Sequence, residues 1–457
     1  MRRSVAITGI GSVCSIGNCA EAFWGALVRG ESSIAPITAL DASGFRSKLA
    51  GEVDGVRIRD CVPKSYRKAT KVMARDTELA VISAQLAARD AGLLTRGSDD
   101  DEAGFAIDPA RTGCQIGAGL IAADTEELAR AVVTAESDEG SFDMKAWGSG
   151  EQGGGGMDNL PPLWLLKYLP NMLACHVTII HGCEGPSNTI MGAEAAAILS
   201  IGESSRVIER GSADICFSGG AESRVNPLGM LRWDYTGRLA PTNDETDGSR
   251  LVRPFDPQAT GSLMGESGGL LVLEEEEHAR ARGVRSYATI AGFGAAQMGP
   301  PVFPGVFDEP ASDPVDGGLV RAINWALKDA GIDADGIDAI VPLGLGVRQF
   351  DDLEAGALED VFGGRLGSVP MVTLCPNVGN TMAGHGGLMI GVGALCLHHQ
   401  RLPARVHHGR PRDGIDAGAG GARDASLEHV LVCSGSLGGQ AAAVVLRRAA
   451  GGSRAQE

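Results

Sequence analysis

The sequence predicts an α/β fold made of two halves with the same topology, and three observations predict it. Short apolar strands alternate with helical stretches from end to end. A helix-and-turn unit occurs twice, about half a chain length apart. Ser83-Ala84-Gln85-Leu86-Ala87-Ala88-Arg89-Asp90-Ala91-Gly92-Leu93 is echoed by Ala322-Ile323-Asn324-Trp325-Ala326-Leu327-Lys328-Asp329-Ala330-Gly331-Ile332, and each precedes an apolar strand. The 66 glycines among 457 residues point to tight turns and closely packed backbone.

The elements follow in order. Val5 to Gly11 reads as a strand running into a glycine turn, and not as a secretory signal. A helix through Ala20 to Arg29 comes next. A longer one spans Asp76 to Ala91 and closes at Gly92. Thr112 to Ala118 and Ile337 to Leu343 are the strands after the two echoed helices. Ala195, Ala196, Ala197, Ile198 and Ile201 make the helix after Glu194 apolar almost all round, so it is expected to be buried. Glu274 to Glu277 followed by Arg280, Arg282 and Arg285 suit a solvated helix with acids early and bases late. Gly148 to Gly156, Gly409 to Arg423 and the tail after Ala449 read as mobile. The expected division is a first half over 1–255, a second over 256–448, and a flexible tail over 449–457.

Composition removes several classes of function. A net charge of −17 and a pI near 5.0 argue against nucleic acid, which needs a basic face. No apolar run reaches the roughly 18 residues of a membrane span, so a cytoplasmic protein is expected. Ten cysteines without CxxC spacing read as free, mostly buried thiols. His398-His399 and His407-His408 have no carboxylate or cysteine at ligand spacing. There is no GxxxxGK[ST] phosphate loop. No metal and no cofactor is expected.

One stretch carries the chemistry. Gly185-Pro186-Ser187-Asn188-Thr189-Ile190-Met191-Gly192-Ala193-Glu194-Ala195-Ala196-Ala197-Ile198 runs on to Gly219-Gly220-Ala221-Glu222. Before it stand Trp24-Gly25-Ala26-Leu27-Val28-Arg29-Gly30 and Leu169-Pro170-Asn171-Met172. After it stand Arg253-Pro254-Phe255-Asp256, Gly265-Glu266-Ser267-Gly268-Gly269, Gly384-His385-Gly386 and Leu437-Gly438-Gly439. In this order the blocks resemble the β-ketoacyl synthases, the condensing enzymes of fatty-acid and polyketide assembly. The resemblance implies a thiolase-like fold, two topologically duplicated halves in a layered αβαβα arrangement, with an extensive dimer interface.

It also implies a site. The family uses a cysteine that carries the acyl chain as a thioester. Two histidines promote malonyl decarboxylation and stabilise the enolate oxygen. Glu194 stands at the cysteine position, Leu343 at the first histidine position, and His385 is the second histidine, retained. Asp351 and Glu354 keep the family spacing after Leu343. Asn380 replaces a lysine, Ala259-Thr260-Gly261-Ser262 replaces a gating run, and Gly435 aligns with a guarding phenylalanine. A carboxylate cannot replace a thiolate as acyl carrier. Leucine offers the enolate no donor, and a catalytic unit stripped of its members loses most of its rate.

The resemblance therefore implies a non-condensing subunit of the chain-length-factor, or ketosynthase β, type. Such a subunit forms a heterodimer with a catalytic ketosynthase and shapes the cavity for the growing chain. An acyl carrier protein would dock mainly through that partner, since carriers are usually acidic and so is this chain. Glu194 would then plug the former site, hydrogen-bonded near a helix N-terminus. The alternatives are a stand-alone malonyl-carrier decarboxylase or acyltransferase using Glu194 and His385, and a module that sequesters carrier-bound intermediates.

Overall fold

The structure, a computed structural model, describes residues 2–98, 107–137, 139–148, 154–298, 317–436 and 438–450. Its strands in chain order are β1 Val5–Val13, β2 Ala35–Pro36, β3 Leu49–Gly51, β4 Thr112–Ala118, β5 Ser187–Met191, β6 Ile215–Ser223 and β7 Met264–Glu275. They continue with β8 Ala288–Gln297, β9 Ala339–Val341, β10 Arg401–Leu402, β11 Arg423–Asp424, β12 His429–Gly435 and β13 Gln440–Arg448. The main path runs β5-β4-β6-β7-β1-β8-β13-β12-β9. β1 pairs with β7 along most of its length but with β8 only over Val5, Ala6 and Ile7. That short pairing joins the two halves.

Helices complete a five-layer stack. The helix Arg75–Asp90 covers β1, β6 and β7, and the helix Gly317–Ala330 covers β8, β12 and β13. Between the two runs lie the helices Ala196–Glu209 and His385–His399, each touching strands of both halves. Apolar residues surround the second of these almost completely, and every residue from His385 to Leu397 is buried. The layered αβαβα expectation is met.

Close approach of helix to strand is duplicated too. A Cβ added at Gly9 or Gly11 would come within 2.3 or 1.9 Å of the Ala87 or Ser83 carbonyl oxygen. At Gly292 or Gly294 it would come within 2.2 or 2.1 Å of the Ala326 or Ala322 carbonyl oxygen. The four helix residues are equivalent positions of the echoed segments. Each half thus seats its outer helix against two glycines of one strand, so the sequence echo reports a repeated packing unit.

Local expectations fare unevenly. Thr112–Ala118 and Ala20–Arg29 form as read, and the long helix ends at Asp90 before Gly92, whose φ is +59°. The strand expected over Ile337 to Leu343 shrinks to Ala339–Val341. Beyond it, the Leu343 and Gly344 N–H groups donate to the Glu354 carboxylate at 2.8 and 2.9 Å instead of to a neighbouring strand. Glu274 and Glu275 are not on a solvated helix. They end β7, and Glu274 is fully buried, accepting from Thr8 Oγ1 at 2.9 Å and from Arg282 Nε at 2.7 Å. The helix begins at Glu276.

Gly409 to Arg423 is tied down: Arg410 N–H donates to Asp256 Oδ2 at 3.0 Å, and Asp416 pairs with Arg405 at 2.9 Å. Residues 149–153 of the glycine-rich stretch, residues 451–457 of the tail, and Leu437 lie outside the described residues.

The duplicated seats carry a test. Gly11→Ala and Gly294→Ala should each lower the urea midpoint of unfolding, at a cost of about 1–3 kcal/mol from forced backbone movement. An unchanged midpoint for either would contradict the close approach described for that half.

Candidate active site

The chain delivers Glu194 to the interior through a sharp elbow. β5 ends at Met191, Gly192 turns, and Ala193–Ala195 form a single 3₁₀ turn before the helix Ala196–Glu209. Ala193 holds φ +48°, a left-handed conformation that costs a non-glycine residue on the order of 1–3 kcal/mol. Surrounding structure must impose it. β4 does so from one side, where a Cβ at Gly117 would meet the Ala196 and Ala197 backbone at 2.6 Å. The start of the other central helix does so from the opposite side, with Gly386 against Ala197 and Ile198.

Glu194 is fully buried, and Arg238 is its charge partner. Arg238 Nη2 lies 3.3 Å from Glu194 Oε1, and Asn380 Nδ2 donates to the same oxygen at 3.4 Å. Both contacts are long. Glu194 Oε2 and Arg238 Nε have no hydrogen-bond partner. The guanidinium is clamped between the rings of Trp233 and Phe350, each centroid 4.3 Å from its central carbon. Burial lowers the Arg238 pKa, and the Glu194 charge opposes that shift. Arg238 was not singled out from the sequence. It belongs to no charged run, and only the fold brings it to Glu194.

Leu343 is buried in the main apolar cluster, so its side chain brings no donor. Its turn is held by two acids: Glu354 accepts from Leu343 and Gly344, and Asp351 accepts from Leu345, Gly346 and Phe255 at 2.8–3.0 Å. Burial raises the Asp351 pKa well above the usual carboxylate range, and the nearby Glu354 charge adds to it. The two acids thus shape the loop after β9.

His385 is buried at the start of its helix. Burial pulls its pKa down to about 4, so the ring is neutral at physiological pH. Its Nδ1 lies 3.3 Å from Thr381 Oγ1, and its Nε2 lies 3.5 Å from Cys375 Sγ. Asn380 uses its side-chain oxygen to accept from Met382 N–H at 2.8 Å, which fixes the turn between them. The structure therefore gathers Glu194, Asn380, His385 and the Leu343 loop, as the sequence expected, and adds Arg238 and Cys375. Gly435 ends β12. Ser262 lies beside Arg238 through backbone hydrogen bonds of Leu239's neighbours, with Ser262 N–H donating to Arg238 O at 2.8 Å.

A second buried charge group adjoins this one. Glu222 at the end of β6 accepts from Ala383 N–H at 2.9 Å and pairs with Arg224. Asp76 lies nearby with Ser223 N–H at 3.3 Å. Burial pushes the Asp76 pKa up to about 7, and the Glu222 charge adds to the rise. Among the described residues, no cluster of His, Cys, Asp and Glu could hold a metal ion, and no helix is long and apolar enough to cross a membrane.

Two substitutions test these charges. Arg238→Met should keep the apolar clamp filled but strand the Glu194 carboxylate, costing about 3–5 kcal/mol in denaturant unfolding. Pairing it with Glu194→Gln should recover most of the loss; a single mutant as stable as the wild type would show the ion pair to be inert. For Asp76 the pH sign is explicit. The folded state holds its proton to about pH 7, whereas an unfolded chain releases it near 4. Wild-type stability is then full below about pH 4 and is lost as pH rises through 7. Asp76→Asn should therefore gain about 2–4 kcal/mol at pH 8 and nothing at pH 4, read from unfolding midpoints across that range.

Comparison with known proteins agrees with this architecture. Residues 2–279 match the β-ketoacyl synthase N-terminal domain, and residues 287–408 match its C-terminal domain. The chain is 29% identical to a polyketide β-ketoacyl synthase 1 of Streptomyces cyaneus, covering 99% of this chain and all of that one. It is 27% identical to the 3-oxoacyl-[acyl-carrier-protein] synthase 2 of Vibrio cholerae, covering 98% and 99%. Among solved structures, the ishigamide ketosynthase/chain length factor is 26% identical with a TM-score of 0.79, covering 98% and 100%. A β-ketoacyl synthase of Burkholderia phymatum is 25% identical with a TM-score of 0.80 over the same shares. With both domain models matched over most of its length, the chain belongs to the β-ketoacyl synthase family.

Proposed function

We propose that this chain is a non-condensing, chain-length-factor-type subunit that pairs with a catalytic ketosynthase and helps to shape the cavity for the growing acyl chain. The observation that carries this reading is the buried Glu194 paired with Arg238. A carboxylate there cannot form the thioester on which condensation depends. The pair also fills the former nucleophile position with charge, where an apolar acyl chain would otherwise reach. His385 alone, neutral and enclosed, lacks both the nucleophile it served and a second donor across the pocket.

A partner fits the surface around β5. This strand is an edge of the main sheet and its residues are largely exposed, with Thr189 N–H donating to Asn188 Oδ1 at 2.8 Å. Large apolar side chains stand exposed near it: Met191 at its end, Leu120 just after the adjoining β4, and Ile179 on the helix Met172–His181 beneath both. Such an edge suits strand addition by a partner of the same fold. The ishigamide ketosynthase/chain length factor, similar over its full length, supports a heterodimer. The net charge of −17 supports carrier docking mainly through the partner.

Two experiments test the reading. Purified alone, the chain should not condense or decarboxylate malonyl-carrier; with a competent ketosynthase it should enter a 1:1 complex that elongates malonyl units. Turnover by the isolated chain that disappears in Glu194→Ala would instead establish the decarboxylase alternative. Glu194→Cys should remain without condensation, because Leu343 still withholds a donor from the enolate. Robust condensation by that single variant would defeat the proposal.

A further inference from the structure

Cys375 was not expected at the site, yet its sulfur contacts Nε2 of His385. It begins the short helix Cys375–Val378 and is fully buried. Its sulfur lies 3.5 Å from His385 Nε2 and 3.5 Å from the Leu343 carbonyl oxygen. On the other side of the ring, Thr381 Oγ1 lies 3.3 Å from Nδ1 and accepts from Ser267 Oγ at 2.8 Å. The contacts form one chain: Ser267, Thr381, His385, Cys375, Leu343.

The direction of this chain is settled from both ends. A carbonyl oxygen can only accept, so the Cys375 S–H points at Leu343. The sulfur is then left to accept from Nε2–H. At the far end Ser267 donates to Thr381, which leaves the Thr381 proton for His385 Nδ1. A neutral imidazole has one donor and one acceptor nitrogen, and both ends require Nε2 to be the donor.

We propose that Cys375 is a built-in occupant of the His385 donor site. Its sulfur takes the hydrogen bond that a substrate oxygen would otherwise receive, and holds the ring in the Nε2–H tautomer. Cys375 is then a positioning residue and not a nucleophile. Attack would require Nε2 to accept the thiol proton, but that nitrogen already carries one. Burial also pushes the thiol well above its ordinary pKa, and the Asp351, Glu354 and Glu194 charges push the same way. The sulfur lies between the main chain at position 343 and the ring at position 385. In the family resemblance these are the two histidine positions, so the thiol closes the space between them. Sulfur is a weak acceptor, so the hydrogen bond it takes from Nε2–H is a weak one.

This deepens the non-condensing reading by naming a second lock on the same site, and its test does not use turnover. In the full chain labelled with ¹⁵N-histidine, the His385 signals can be assigned by their loss in His385→Gln and by the Nδ1 shift in Thr381→Val. The expected wild-type spectrum has a protonated Nε2 and an unprotonated Nδ1. Cys375→Ser, which keeps a donor and acceptor in place, should preserve that pattern, and Cys375→Ala should shift the Nε2 signal. A proton on Nδ1 in the wild type, or a Cys375→Ala spectrum matching the wild type, would overturn the assignment. An acyl-thioester probe incubated with the chain should leave Cys375 unlabelled by peptide mapping. Acylation there would replace the positioning role with a nucleophilic one. If the isolated chain turned over malonyl-carrier while the tautomer pattern held, the functional reading would fail and this inference would stand.

Discussion

A carboxylate sealed from water needs a positive charge, and the contact between Glu194 and Arg238 is the constraint around which the buried polar centre is arranged. Without a partner the desolvation cost would be several kcal/mol. Arg238 is itself buried, so it needs compensation as well, and it receives it from two aromatic faces and one acid. This ties the elbow at Glu194 to Trp233 on one helix and Phe350 on another. A single replaced residue at position 194 thus depends on side chains far from it in sequence.

The scaffold around that pair keeps features that make sense for a nucleophile. Ala193 still occupies a left-handed conformation, and the loop after β9 is still braced by Asp351 and Glu354. Packing explains their persistence. The elbow is pressed between β4 and the start of the helix His385–His399, and relaxing it would open cavities in the central layer. The atoms that shape the elbow also hold the two halves together. The pocket holds the Glu194–Arg238 ion pair and, beside it, the His385–Cys375 contact, with Glu194 Oε2 and Arg238 Nε left without a hydrogen-bond partner.

Several features could be read before any coordinates. The echoed helices announced the duplication, and the Gly9/Gly11 and Gly292/Gly294 seats explain why the echo exists. Glu194, Leu343, His385 and Asn380 stand in blocks with fixed spacing to their neighbours, and the structure brings these blocks together. Glu274 and Glu275 misled, since a run of four acids suits a solvated helix whereas β7 extends two residues into it. The Ile337 to Leu343 strand was overestimated for a related reason: apolar content continues, but Glu354 diverts the backbone donors.

Periodicity and the echoed segments alone determine the α/β class and the two halves, because these follow from local pattern and spacing; the missing thiol and the single histidine are what the family resemblance implies for Glu194, Leu343 and His385. Only the tertiary structure decided that Arg238 neutralises Glu194, that Cys375 faces His385, and that Asp76 lies beside Glu222. The physical reason is the same in each case. A buried polar group takes whatever partner the packing of distant segments brings within about 3.5 Å, and no spacing along the chain encodes that distance.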